Sequence, residues 1–255
     1  MGVLQGRHAL VTGGGSGIGA AIARALHEAG AAVTIAGRQQ SRLDEVASPM
    51  ARCATVVADV TRDCEAMVKA ARQAHGPVDI LVANAGAAES APFARLDRGQ
   101  WQRMLDVNLT GAFLSAQAAL PDLIRDGTKD GLRRMVFVAS TAALKGYPYV
   151  AAYTAAKHGV LGLTRALAAE YALSGMTVNA VCPGFTDTPL LDASVAAISA
   201  KTKRSADDTR AQLAKDNPHQ RLVRPQEVAE TVLFLCSPAA ASINGQAIAI
   251  AGGEV

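Results

Sequence analysis

Short, largely apolar runs recur along the chain, at His8–Thr12, Ala32–Ala36, Thr55–Ala58, Ile80–Ala83, Met135–Ala139, Thr177–Val181 and Gln246–Ile250. They do not alternate polar with apolar, so each predicts a strand covered on both faces, as in a parallel sheet between two helix layers. Between them Ile18–Ala29, Asp63–His75, Gln100–Ile124, Tyr153–Leu173 and Pro225–Cys236 carry helical patterns. Strand–helix alternation of this kind predicts an α/β fold, a Rossmann-like doubly wound parallel sheet of about seven strands with helices on both faces. No repeat or low-complexity linker divides the chain, so residues 1–255 are expected to form a single domain. One segment breaks the rhythm. Residues 185–217 are polar, rich in Ser, Thr, Asp and Lys, with helical stretches after Pro189, and are expected to overhang the carboxyl ends of the strands as a substrate-binding lid.

Composition narrows the function. Half of the residues are hydrophobic but only 4% are aromatic, which predicts an aliphatic core and argues against stacking of single-stranded nucleic acid on aromatic rings. The net charge is +3, and the short basic clusters, Arg133 with Arg134 and Lys201 with Lys203 and Arg204, read as solvated faces rather than a stripe that tracks phosphates; no nucleic-acid partner is expected. The four cysteines lie far apart with no CxxC pair, as reduced, buried hydrophobes of a cytoplasmic protein. No apolar run approaches the roughly 18 residues of a membrane span, and His8 to Leu10 already begin a strand where a signal peptide would run, so no membrane partner is expected. Met1-Gly2 opens like a myristoylation signal, but Gly6 stands where Ser or Thr is required.

The candidate chemistry begins at the first strand–helix turn, Thr12-Gly13-Gly14-Gly15-Ser16-Gly17-Ile18-Gly19. Glycines there allow a tight turn and close backbone approach, and the helix N-terminus offers free N–H groups and a positive dipole end to a pyrophosphate. A dinucleotide is therefore the expected cofactor, with Gly13, Gly15, Ser16, Gly17, Ile18 and Gly19 around it. After the second strand the chain reads Ala36-Gly37-Arg38. With no carboxylate to accept ribose hydroxyls and a guanidinium in its place, NADP(H) is favoured over NAD(H) through Arg38; a solvated strand-end arginine is the plain alternative. Tyr153 and Lys157 are four positions apart on one predicted helix and share a face. An ammonium beside a phenol is expected to lower the phenol's pKa and fit it for proton transfer. Ser140, ending the fifth strand, can hydrogen-bond a substrate oxygen.

With Thr12, Gly13, Gly17 and Gly19 matching TGxxxGxG, Asn84-Ala85-Gly86 matching the NAG of NNAG, Tyr153 to Lys157 matching YxxxK, and Ser140 placed 13 residues before Tyr153, the chain resembles the short-chain dehydrogenase/reductase family over its whole length. Ala83 replaces the first Asn of NNAG. The resemblance implies an enzyme that transfers a hydride between the nicotinamide and a carbonyl or secondary alcohol, without a metal. It assigns proton transfer to Tyr153, the nicotinamide ribose to Lys157, carbonyl orientation to Ser140 and a water relay to Asn108. Asp59 and Val60 would meet the adenine, although Asp59 also reads as a simple cap. Asn84, Ala85 and Gly86 would border the cofactor, with Pro183, Gly184 and Thr188 at its nicotinamide end. Ala142, Ala143, Leu144, Tyr147 and Tyr149 form an apolar wall with two phenols, so Ser140, Ala142, Tyr147 and Tyr153 are the substrate-binding candidates. Lys201, Lys203, Arg204 and Arg210 of the lid could meet a coenzyme A or carrier-protein phosphate, or simply solvent. The resemblance leans towards 3-oxoacyl thioester reductases and ketoreductases. An NAD-dependent alcohol or hydroxyacyl-CoA dehydrogenase is the runner-up, and a catalytically idle dinucleotide sensor the rival of another class. Helices rich in Ala and Leu on more than one face, holding Asn108 and Tyr153, carry more apolar surface than a monomer would expose, and the resemblance implies that they pack about a two-fold axis and, with a second interface at the Ala- and Gly-rich C-terminus, give a homotetramer.

Overall fold

The structure is a computed structural model that describes residues 2–125, 132–215 and 217–255. Seven strands, β1 (His8–Thr12), β2 (Ala32–Gly37), β3 (Cys53–Val57), β4 (Ile80–Ala83), β5 (Arg133–Val138), β6 (Met176–Pro183) and β7 (Ala247–Ile250), form one sheet in the order β3-β2-β1-β4-β5-β6-β7. Every pairing is parallel. The strand order reverses between β1 and β4, which opens a crevice at their carboxyl ends, where doubly wound sheets bind ligands.

Successive residues of one strand feed opposite cores. Ala9 and Val11 of β1 pack with Ile22 and Leu26 of α1 (Gly17–Glu28), Leu43 of α2 (Gln40–Ala47) and Val228, Val232 and Leu235 of the helix at Pro225–Cys236. Leu10 between them packs on the other face with Met67 and Val68 of α3 (Cys64–His75), Ala112 and Ala116 of Gly111–Leu123, and Val160 and Leu161 of Ala151–Glu170. That two-sided burial explains why the strands read as continuously apolar. The short α2 escapes hydropathy analysis because it buries only Leu43 and Val46. The helix predicted at Gln100–Ile124 is built in three pieces: α4 (Arg98–Leu105), a π turn over Asp106–Thr110, and α5 (Gly111–Leu123). The remaining helices are α6 (Ala151–Glu170), α7 (Pro189–Thr202), α8 (Ala206–Lys215) and α9 (Pro225–Cys236).

One charge expectation is overturned. Arg133 and Arg134, read as a solvated cluster, open β5 inside the protein and are 1% and 2% exposed. Asp79 is the cause for Arg133: its Oδ1 receives Nη1 of Arg133 at 3.1 Å and Nη2 of Arg125 at 2.7 Å, while Oδ2 accepts the His8 backbone N–H at 2.9 Å. Arg134 donates instead to the carbonyls of Arg133 (3.0 Å) and Ser237 (3.2 Å). Asp79 and Ser237 are remote in sequence from the two arginines, so a local charge pattern cannot show this burial.

In the lid, α7 and α8 pack on each other, and a parallel bridge between Thr186 and Val223 ties its base to the body. Arg210 does not stand free for a ligand phosphate, because it pairs with Asp187 and with Asp192 (2.6 Å) and so braces the lid from within. Lys203 and Arg204 are exposed; the side chain of Lys201 and the lid residue Asp216 lie outside the described residues. After the lid, Pro225 starts α9, and the Glu227 carboxylate reaches back to the Arg224 N–H (2.8 Å) while gripping Arg221 through two bonds of 2.7 Å. These bonds, that to Arg221 foremost, hold the Glu227 carboxyl down at about 2. A depressed carboxyl stabilises the fold above its ordinary titration range and ceases to do so as pH falls towards 2. Glu227→Gln is therefore expected to lower the melting temperature at pH 7 by about 2–4 °C, the equivalent of ~1 kcal/mol. Calorimetry across acid pH should show the gap from wild type closing.

Candidate active site

The predicted residues lie at or just beyond the carboxyl ends of six strands, β1 to β6, with Asn108 in the π turn and Tyr153 and Lys157 on α6. At the end of β1 the chain turns through Gly13 and Gly17, both with positive φ (66° and 52°). The crowding there is severe: a Cβ on Gly19 would lie 2.3 Å from the Gly13 carbonyl oxygen, and one on Gly13 would lie 2.8 Å from Asn84 Nδ2. Ser16 caps α1 by position, but its hydroxyl makes no capping bond, so the first amides of the helix and that hydroxyl are available to a ligand. Thr188, which caps α7, meets the same turn from above, its methyl 3.1 Å from where a Gly17 Cβ would stand. A dinucleotide pyrophosphate fits this cradle: glycines leave out the side chains that would crowd it, and no capping hydroxyl takes up the first amides of α1.

Asn84 braces the two central strands. Its Nδ2 donates to the Thr12 carbonyl at 2.9 Å, and Thr12 Oγ1 accepts the N–H groups of Asn84 and Ala85, each at 3.0 Å. The role of Thr12, a buried hydroxyl beneath the turn, is invisible without knowledge that β4 lies beside β1. Ala83, where NNAG has its first Asn, is buried at the end of β4 and leaves this brace intact.

Arg38 is exposed beyond β2, and Asp59 follows β3 beside it. The Asp59 carboxylate accepts from Thr61 N–H (3.0 Å) and Thr61 Oγ1 (2.8 Å), forming a turn rather than a helix cap, since Asp63 takes the cap position of α3. Those bonds to Thr61, with smaller help from Arg62 and Arg38, hold its carboxyl below the ordinary range. Val60 is buried against α5, 2.6 Å from where a Gly111 Cβ would stand. Arg42, on the short α2, is not legible in the sequence; its Cβ lies 3.4 Å from the Cβ position of Gly15, so the base of a second arginine side chain borders the turn.

Asn108 is buried in the π turn, with Nδ2 donating to the carbonyls of Ala87 (2.9 Å) and Met104 (3.0 Å). Gly86 sits between Asn108 and Lys157: a Cβ there would be 2.8 Å from Asn108 Oδ1 and 3.7 Å from Lys157 Nζ. Lys157 itself is buried on α6 and donates to the Val138 carbonyl at 2.9 Å, its Nζ 5.6 Å from the centroid of the Tyr153 ring. Burial lowers this ammonium to about 8. The phenol of Tyr153 goes the opposite way from the sequence expectation. Burial raises it, and the hydrogen bond from Ser140 is what pulls against that rise. Desolvation disfavours the charged form of both groups at once, and with Lys157 turned to Val138 its attraction does not reverse the outcome. Ser140 is held in place by its own backbone, its Oγ accepting the Ala142 N–H at 3.1 Å.

On the substrate side Ala142 is buried in the turn after β5, while Leu144 and Tyr149 are exposed. Tyr147 is not a free phenol. It donates to Glu254 Oε1, and its oxygen lies 2.7 Å from Thr141 Oγ1. Glu254 is a further residue that the sequence did not reveal, because its partners are brought to it only by the pairing of β6 with β7. Pro183 ends β6, and Gly184 follows, its N–H bonded to the Ile250 carbonyl at 3.1 Å.

A seven-stranded dinucleotide-type sheet with this serine, tyrosine and lysine at its carboxyl edge defines a nicotinamide-dependent oxidoreductase, and comparison with known proteins agrees. Residues 13–254 match the family model described as enoyl-(acyl carrier protein) reductase. The cis-4-hydroxycyclohexanecarboxylate dehydrogenase of Sinomonas cyclohexanicum is 42% identical, over 97% of this chain and 96% of that protein. A putative ketoacyl reductase of Streptomyces coelicolor is 38% identical, over 96% and 95%. Among solved structures, a Phe-to-Trp variant of actinorhodin polyketide ketoreductase with NADPH superposes with a TM-score of 0.91 at 36% identity, covering 97% of each chain. Levodione reductase gives 0.91 at 30% identity, covering 98% of each. The chain belongs to the short-chain dehydrogenase/reductase family and is an enzyme of that family. Among the described residues no helix is long and apolar enough to cross a membrane.

Proposed function

We propose that the protein is an NADP(H)-dependent reductase of a ketone or 3-oxoacyl thioester. The observation that carries this reading is the convergence, at the edge of a dinucleotide cradle, of a serine hydroxyl bonded to a half-buried neutral phenol, with a buried ammonium on the same helix as that phenol. Bound NADPH would supply the hydride, from C4 of its nicotinamide. The chain does the rest. Ser140 orients the carbonyl oxygen towards the Tyr153 phenol, which delivers a proton to it. Lys157 supports that transfer by its charge and, once released from Val138, by a bond to the nicotinamide ribose. Asn108, with its side chain already anchored to Ala87, holds the place of a water through which protons reach Lys157. The turn from Gly13 to Gly19 holds the pyrophosphate, with Asp59 and Val60 near the adenine end and Pro183, Gly184 and Thr188 near the nicotinamide. Arg38, with Arg42 beside the turn, reads the 2′-phosphate.

The ketoacyl reductase relative and the ketoreductase solved with NADPH support reduction of a carbonyl. The dehydrogenase relative acts on an alcohol by its name, and the same residues run that direction with Tyr153 as the base. A panel of cyclic ketones and 3-oxoacyl thioesters assayed with NADPH and NADH tests the reading: oxidation of NADPH by at least one class is expected, and inertness of the whole panel would overturn it. Four free cysteines, with burial raising Cys53 and Cys182 to about 11 and Cys236 to about 12, suit a reducing compartment, and we place the enzyme in the cytoplasm. The apolar surface of α5, where Phe113 is 42% exposed, supports assembly as a homotetramer. Sedimentation as a monomer at micromolar concentration would refute that assembly.

A further inference from the structure

Glu254 follows β7 and folds back over the end of β6, where its side chain is only 4% exposed. Its two carboxylate oxygens have unequal surroundings. Oε1 receives Lys145 Nζ at 3.1 Å and the Tyr147 phenol, and Lys145 also donates to the Glu254 carbonyl at 3.2 Å. Among the described residues Oε2 has no hydrogen-bond partner, and it lies 3.0 Å from where a Cβ on Gly184 would stand. A buried carboxylate oxygen left without a donor from the chain costs free energy, which a donor from outside the chain would relieve.

The location tells which donor. Tyr147 joins this carboxylate to Thr141, the residue next to Ser140, and Phe185 packs edge-on against Tyr147 with ring centroids 6.1 Å apart. Gly184 borders the same end of the sheet as Ser140, because β5 and β6 are paired. The free acceptor therefore lies at the sheet end that carries Ser140, and Tyr147 links its carboxylate to the residue next to that serine. Lys145 already neutralises the carboxylate, so a second cation would be repelled by that ammonium, and an anion would be repelled by Glu254 itself. A neutral donor satisfies both constraints.

We infer that Glu254 is a specificity residue whose free Oε2 accepts a hydrogen bond from a hydroxyl that the ketone substrate carries away from its carbonyl. This rests on the reading of the site as a carbonyl reductase. The test compares kcat/KM with NADPH for cyclic ketones in pairs, unsubstituted and hydroxylated at successive ring positions, in the wild type, Glu254→Gln and Glu254→Ala. Wild type is expected to favour the hydroxylated member of at least one pair by about tenfold or more, since the lone analogue leaves a buried acceptor unpaired. In Glu254→Ala the ratio should fall to near one, with Glu254→Gln between. The ratio is taken within one preparation, so partial misfolding cancels. A ratio near one in wild type for every pair, or a ratio unchanged in Glu254→Ala, overturns the inference. So does an equal loss on both ketones accompanied by weaker NADPH binding, which would assign the carboxylate to the cofactor. Calorimetric titration of NADPH-loaded protein with the same pairs separates the two levels of failure. Tighter binding of the hydroxylated ketone that is lost in Glu254→Ala upholds the role of Glu254 even if no ketone is turned over, a result that would sink only the reductase reading; equal binding of both ketones overturns the role itself.

Discussion

Tyr153→Phe is expected to lower kcat for ketone reduction by about 10²–10⁴-fold, the usual contribution of a positioned general acid, while NADPH binding, followed by quenching of Trp101 fluorescence, changes little. The ring remains to fill its place beside Lys157, so only the proton is lost. Full activity in this variant would remove the phenol from the mechanism. A pH profile examines the same group of residues from the other side. Lys157 is held by burial at about 8, and its charged form exists below that value. Because the ammonium is the supporting charge, kcat/KM for reduction should be level in acid and fall as pH rises through about 8. A profile flat to pH 10 would mean that Lys157 keeps its proton or that its charge is not used.

Arg38→Asp should reverse cofactor preference. A guanidinium–phosphate pair contributes on the order of 1.5–3 kcal/mol, so kcat/KM with NADPH should fall by roughly tenfold to a hundredfold, while the new carboxylate at the end of β2 gains the ribose hydroxyls of NADH. Arg42, placed beside Gly15, remains in the variant. Some residual tolerance of NADPH is expected from it, and Arg38→Asp combined with Arg42→Ala should remove that remainder. An unchanged NADPH to NADH ratio in both variants would show that neither arginine reads the phosphate.

Much of this architecture was legible because its signals are local. A parallel strand buried on both faces must be continuously apolar, and a phosphate turn must be rich in glycine at fixed offsets, so the sheet and Gly13 to Gly19 could be found without a structure. What stayed hidden depends on residues far apart in the chain. Arg133 looked like a surface charge until Asp79 and Arg125 were placed beside it. Thr12 gained its role from β4, and Glu254 from β6. The direction of the Tyr153 shift is hidden for a related reason: helical spacing reveals that Lys157 is near, but not that Val138 engages its ammonium or that desolvation acts on both groups. The short α2 lacked a periodic apolar stripe, and Arg42 went unnoticed with it.

The π turn at Asp106–Thr110 has a bearing on the whole helical layer. There the Gly111 N–H bonds to the Asp106 carbonyl, five residues back, so the segment carries one residue more than an unbroken α-helix. One extra residue turns everything beyond it by about 100° around the axis. That rotation is what lets a single continuous rod face two different neighbours, α6 along α4 and α3 along α5, with Asn108 at the change of phase. The rod works as a splice between two registers. Deleting one residue within the turn would heal the helix and, in doing so, point either its first half or its second half at the wrong neighbour.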